Sequence, residues 1–162
     1  MAFTPSDTKY VTDGTLGVDL SLTPTTQDFA LGSRVRTNDG GEYLYVQANG
    51  AIAQFAAVGI DEDYQAAELT KAMADDGWMI GAAQVAFADN DYGWIAVKGS
   101  DVGVKVAASC AADVALYTTG TAGVLDDAST SQTKIEGIVA VTAVTAATST
   151  EVIMTFPRST GF

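Results

Sequence analysis

The sequence predicts an all-β fold, a barrel or sandwich carrying one short helix and an extended N-terminal arm. Three observations lead there. The chain is rich in Thr, Ala and Gly and only 17% charged, and small and β-branched residues in quantity favour extended structure. From Ser33 onward, turn signals recur about every eight to twelve residues, the spacing of sandwiches and barrels. Only residues 66–76 carry a helical period.

Residues 1–32 read as the arm and residues 33–162 as the β-rich domain. The arm holds two of the three prolines and spaces Phe3, Tyr10, Leu20, Leu22 and Phe29 without a sustained period. It is either a disordered tail or an extended arm that orders against a neighbouring subunit through those residues. In RVRT, strand alternation puts Arg34 and Arg36 on one face. NDGG at 38–41 marks a turn, and EYLYVQ follows with Tyr43 and Tyr45 opposite Leu44 and Val46. Asn49-Gly50 supplies the next turn, and AIAQFAAVGI continues as an apolar strand.

In AAELTKAMADD, Ala66, Leu69 and Met73 fall at i, i+3 and i+7, and Gly77 stands where a C-terminal cap belongs. Asp75 and Asp76 in the last turn oppose the helix dipole. Strands resume in WMIGAAQVAFA, YGWIAVKG, VGVKVAAS, ADVALYTT, KIEGIVAVTAV and EVIMTFP, with GTAGVLDDASTSQT as a turn-rich interruption. In YGWIAVKG, alternation places Trp94, Ala96 and Lys98 on one face and Ile95 and Val97 on the other. The Ile95/Val97 face is expected to meet the core, which makes Trp94 a barrel-end plug or an inter-subunit contact.

Composition removes several functional classes. The chain has 162 residues, 48% of them hydrophobic, which fits one domain with a core of useful size. Its net charge of −12 sets twenty acids against eight bases. Those bases (Lys9, Arg34, Arg36, Lys71, Lys98, Lys105, Lys134 and Arg158) are scattered along the sequence, with no basic stripe to displace counterions, so no direct nucleic-acid partner is expected. An acidic surface makes copies repel one another unless a specific interface overcomes it. Histidine is absent and Cys110 is the single cysteine. That excludes an internal disulfide, Cys/His zinc sites and His-assisted nucleophiles. No secretory signal is visible in MAFTPSDTKY, and no apolar run reaches the roughly 18 residues of a membrane span. No membrane partner or signal-dependent secretion is expected.

The remaining candidate chemistry is sparse. ADNDYGWIAVKG at 88–99 resembles a calcium loop, but counting from Asp89 puts Gly93, Trp94 and Ser100 at the fifth, sixth and twelfth places, where such a loop needs an acid, Gly and Glu. An acidic turn fits better: Asn90 and Gly93 tolerate unusual φ, and Asp side chains bond nearby backbone N–H groups. Asp61, Glu62 and Asp63, and Asp126 with Asp127, read as solvated loop ends rather than a catalytic carboxylate pair. Cys110 among small apolar residues reads as a buried, inert thiol. NDGG and GTAG match no phosphate loop. Trp78 and Trp94 read as core or interface aromatics. No cofactor or metal is expected.

The segments VGIDEDYQAAELT, AQVAFADNDYGWIAVKG, VAASCAADVALYTTGTAGVLDD and IEGIVAV resemble the small head-decoration, or capsid cement, proteins of tailed bacteriophages. The resemblance runs over residues 35–156, and its motifs are structural, not catalytic. It implies a non-enzymatic, β-rich virion protein on the outer surface of an icosahedral shell, made in the host cytoplasm. The implied partners are the major capsid protein and further copies of the chain in a homotrimer. Phe3, Tyr10, Leu20 and Leu22, the Arg34/Arg36 face and Trp94 are the candidate contacts. A tail, neck or fibre component is the structural alternative. A carbohydrate-binding β module stacking sugars on Trp94, Tyr92 and Tyr45 is another, and a histidine-free carboxylate hydrolase ranks last.

Overall fold

A computed structural model describes residues 18–161 of the chain. Phe3 and Tyr10 therefore lie outside the described residues. The strands are β1 (Arg34–Arg36), β2 (Glu42–Ala48), β3 (Ala57–Ile60), β4 (Gln65–Glu68), β5 (Met79–Ala83), β6 (Tyr92–Val106), β7 (Ala115–Thr118), β8 (Leu125–Asp126), β9 (Lys134–Ala140) and β10 (Thr148–Ser159), with α1 (Lys71–Asp75) between β4 and β5. The fold is all-β, and five of the strands close into a barrel.

Closure follows from the pairing. β2 runs antiparallel to β6 through Tyr43↔Ala96 and Tyr45↔Trp94, and parallel to β4 through Gln47↔Gln65. β4 pairs with β3, β3 with β5, and β5 returns to β6 through Ala82↔Ala96. The far half of β6 belongs to a second circuit. It pairs with β10, β10 with β9, β9 with β7, and β7 with β8, which rejoins β6 in parallel at Val106↔Leu125. The 15-residue strand β6 is thus a wall of both rings.

Alternation along the strands fills each ring. Leu44, Val46, Val58, Ile60, Ala66, Ala83, Ile95 and Val97 form the core of the first, with Ile52 and Phe87 joined by a bridge at its end. Val102, Val104, Leu116, Leu125, Ile135, Val152 and Met154 belong to the other core, which also takes in Tyr43, Tyr45, Trp94 and Ala96. The expected split of Tyr43/Tyr45 from Leu44/Val46 is present. The expectation that only the Ile95/Val97 face of β6 meets a core is corrected: its Trp94/Ala96 face is buried as well. A strand covered on both sides has no polar face to reveal its orientation.

Three expected elements differ. The helix does not begin at residue 66, because Gln65–Glu68 is recruited as a strand between β2 and β3. Tertiary pairing outweighs weak local propensity there. The helix starts instead at the Thr70 N-cap, whose hydroxyl accepts from the Met73 N–H at 3.3 Å, and Gly77 follows its end at φ +78. AIAQFAAVGI is a strand only over Ala57–Ile60, since Phe55 takes a φ of +64. YGWIAVKG and VGVKVAAS are one continuous strand rather than two.

Candidate interaction surface

The second half of the arm packs on its own chain. Leu20 is buried, and the Phe29 ring lies 5.3 Å from both Tyr45 and Trp94. The Asp28 N–H donates to the Tyr45 hydroxyl at 3.1 Å, and the Tyr92 N–H donates to the Pro24 carbonyl at 2.8 Å. Trp94 is left 4% exposed and Tyr45 1%. Beside them a cavity of about 360 Å³ opens between Val18, Leu22, Pro24 and Phe29. Their faces are therefore roofed by the chain itself. Of the residues singled out in the sequence, Leu20 and Trp94 lie inside, while Leu22, Arg34 and Arg36 face solvent.

The acidic loop is a turn built from its side chains. Asp89 Oδ1 accepts the Gly50 N–H at 2.8 Å, and Asp91 Oδ2 accepts the Ala88 N–H at 2.8 Å. Asn90 takes a φ of +68, as expected of Asn in a tight reversal. Gly93 has a different reason to be glycine: a Cβ there would stand 2.6 Å from the Phe87 ring. Asp61 likewise closes its own turn, accepting from the Asp63 and Gln65 N–H groups.

Cys110, Asp126 and Asp127 bring one sulfur and two carboxylates within 4.8 Å of one another. The carboxylates serve the loop: Asp127 accepts the Ala111 N–H at 3.1 Å, and Asp126 accepts the Asp127 N–H at 2.9 Å. Burial and the two neighbouring carboxylates push the Cys110 thiol up, so at neutral pH it is protonated and a poor nucleophile.

The exposed apolar residues are unevenly placed. Of seven large ones among the described residues, Val139, Val141, Ile153 and Phe156 lie on or beside the β9–β10 hairpin. Val139 and Ile153 are cross-strand partners. Beyond them β10 bulges: Met154 faces Ile138 and Arg158 faces Glu136, so three residues stand opposite Gly137. A Cβ on Gly137 would meet the Thr155 carbonyl at 2.7 Å. Inside the bulge Phe156 takes a φ of +48 and remains 46% exposed. Its ring is flanked by the Arg34 guanidinium at 5.8 Å and the Lys98 ammonium at 5.7 Å.

Folding also gathers charges that were scattered in sequence. Glu42 accepts from Arg36 at 3.1 Å and Lys98 at 3.6 Å. Glu136 pairs with Arg158 at 3.2 Å and Lys134 at 3.9 Å. Five of the eight bases therefore stand beside the C-terminal half of β10. No family model and no curated protein matches the chain.

Sequence reasoning found Arg34 and Arg36 but missed Phe156, Lys98, Val139 and Ile153. The available signal was Pro157. A proline inside a strand is confined to an edge or a bulge, and a bulge re-aims its neighbours. The resulting surface is an aromatic and aliphatic patch with cations at its rim, suited to recognising a protein face.

Proposed function

We propose that this chain is a structural virion protein of a tailed bacteriophage, a non-enzymatic cement protein that binds the outer surface of the icosahedral shell. The observation that carries the reading is the likeness of residues 35–156 to head-decoration proteins. The quoted segments cover nearly all of β3, β4, β7, β8 and β9 and the first half of β6, framework rather than any reaction centre. The major capsid protein is the proposed partner, with Leu22, Arg34 and Arg36 as exposed candidates for its contact. Binding only the assembled, expanded lattice would stabilise that lattice by mass action.

The test adds purified chain to capsids that lack it. The expected outcome is labelling over the whole shell, in copy numbers that follow the lattice, with a raised capsid melting temperature. Labelling confined to the tail or one vertex would assign the chain to a tail or neck role, and no binding would overturn the reading.

A further inference from the structure

We propose that Asn49–Gly50 is a site of spontaneous deamidation, held unreacted in the folded chain by the hydrogen bond between the Gly50 N–H and the Asp89 carboxylate. Asn49 follows the last residue of β2 and is exposed. Of the three asparagines in the chain, Asn38, Asn49 and Asn90, it alone precedes a glycine. Gly50 has no side chain to shield its nitrogen, and a Cβ placed there would meet nothing within 4 Å. An unshielded backbone nitrogen next to an exposed side-chain amide is the pairing through which asparagine, a thermolabile residue, loses ammonia.

The reaction needs no reagent besides water. The Gly50 nitrogen attacks Asn49 Cγ, a C–N bond forms, and the Cγ–Nδ2 bond breaks. The departing nitrogen keeps the electron pair and takes up the Gly50 proton, so ammonia is released and a cyclic imide remains. Water then opens the imide at Cγ to give aspartate, or at the main-chain carbonyl to give isoaspartate.

Folding withholds the freedom this chemistry requires. The Gly50 N–H donates to Asp89 Oδ1 at 2.8 Å. A carboxylate is too weak a base to take an amide proton. The contact therefore stabilises the N–H and opposes the negative charge that deprotonation would place on the nitrogen. Asn49 is pinned as well: its Nδ2 donates to Gln65 Oε1 at 3.1 Å, and its N–H to the Ala66 carbonyl at 2.8 Å. Backbone bonds hold Asp89 in position, with the Ala48 N–H on the Asp91 carbonyl at 2.8 Å and the Asn90 N–H on the Ala48 carbonyl at 3.0 Å. The acidic loop thus has a chemical task besides reversing the chain. Each local opening of that loop frees the reactants. Isoaspartate then leaves a lasting record, because it adds a carbon to the main chain beside the Gln47↔Gln65 and Ala48↔Ala66 pairs.

The full chain is to be incubated in mildly alkaline buffer, folded and in guanidinium chloride, then followed by peptide mass mapping and an isoaspartate assay. Conversion at Asn49 should be slow in the folded parent and fast in denaturant. Asp89→Ala should raise the folded-state rate about tenfold, the effect of losing one hydrogen bond to a charged group, and leave the rate in denaturant unchanged. Asp89→Asn, which keeps an acceptor for Gly50 without the charge, should fall between. Three results overturn the proposal: no isoaspartate at residue 49 in denaturant, a folded parent that reacts as fast as the denatured chain, or a folded Asp89→Ala that reacts no faster than the parent. Unfolding midpoints are measured alongside, and acceleration that only matches the fraction unfolded overturns Asp89 as the restraint. The measurement uses the purified chain alone, so it succeeds or fails independently of capsid binding.

Discussion

The side-chain amide of Gln84 does the work of a stretch of backbone. Its Nε2 donates to the Gly103 carbonyl at 3.1 Å, and its Oε1 accepts the Gly103 N–H at 3.0 Å. Buried, it continues β5 against β6 one residue past the end of the strand. Gln84→Leu would leave both polar groups of Gly103 unpaired and should cost about 1–3 kcal/mol in urea unfolding. Asp75 and Asp126 respond to pH in opposite senses. The Lys71 and Thr133 hydrogen bonds hold the Asp75 carboxyl below its ordinary value of 3.8. The stability this adds is present above the unfolded value and is lost as pH falls through the depressed one. Burial and the Asp127 carboxylate hold Asp126 above 3.8, so its ionisation opposes folding as pH rises through the raised value. Asp126→Asn should therefore be more stable than the parent at pH 7, with the gain vanishing in melts below the ordinary aspartate value. The Cys110 thiol, buried and shifted upward, should resist an aromatic disulfide reagent in buffer at pH 8 and react promptly in urea.

Among the elements, the segment 18–32 separates what was legible from what was not. The sequence shows irregular chain with spaced apolar residues, and that is its conformation over the described part. Its destination is not visible, because Phe29 finds its partners on β2 and β6 and Leu20 is buried in the larger core, not against neighbouring sequence. Phe29→Ala should uncover Tyr45 and Trp94, lower the unfolding free energy by about 1–2 kcal/mol because the ring is only part-buried, and change the tryptophan emission. Deleting residues 1–30 would remove the same roof, so loss of capsid binding in that truncation would report misfolding as readily as a lost contact. Arg34→Glu leaves Phe29 in place and is the cleaner probe. β2 was readable from its alternation, since its two faces differ in residue type. β6 was not, because Trp94, Ile95, Ala96 and Val97 are all buried. Residues 66–76 were read as helix because Ala66 and Leu69 fit the period, and only the pairing with β2 and β3 makes the first half a strand. The patch at Phe156 left Pro157 as its trace.

For the molecule as a whole, a shared wall makes the two rings one thermodynamic unit. Neither core is enclosed unless β6 is in place, since Ile95 and Val97 line one and Val102 and Val104 the other. Ile95→Ala and Val104→Ala should therefore lower the midpoint of the same single transition, by about 2–5 and 1–3 kcal/mol respectively. Tryptophan fluorescence and far-ultraviolet circular dichroism should coincide throughout. Separate transitions for the two variants would show that the rings unfold independently.

The order of strands along the chain also gives this architecture a direction in time. Every strand of the first ring is complete once Lys98 has been translated, and every further strand of the second comes after Val106. During synthesis from the N-terminus, all five strands of the first ring are therefore made before any further strand of the second. The distal half of β6 then stands ready as a template, with Val152 awaited by Val102 and Leu125 by Val106. The bulge that presents Phe156 lies in the last strand to be made, so its exposed ring is displayed only by a chain whose other strands already exist.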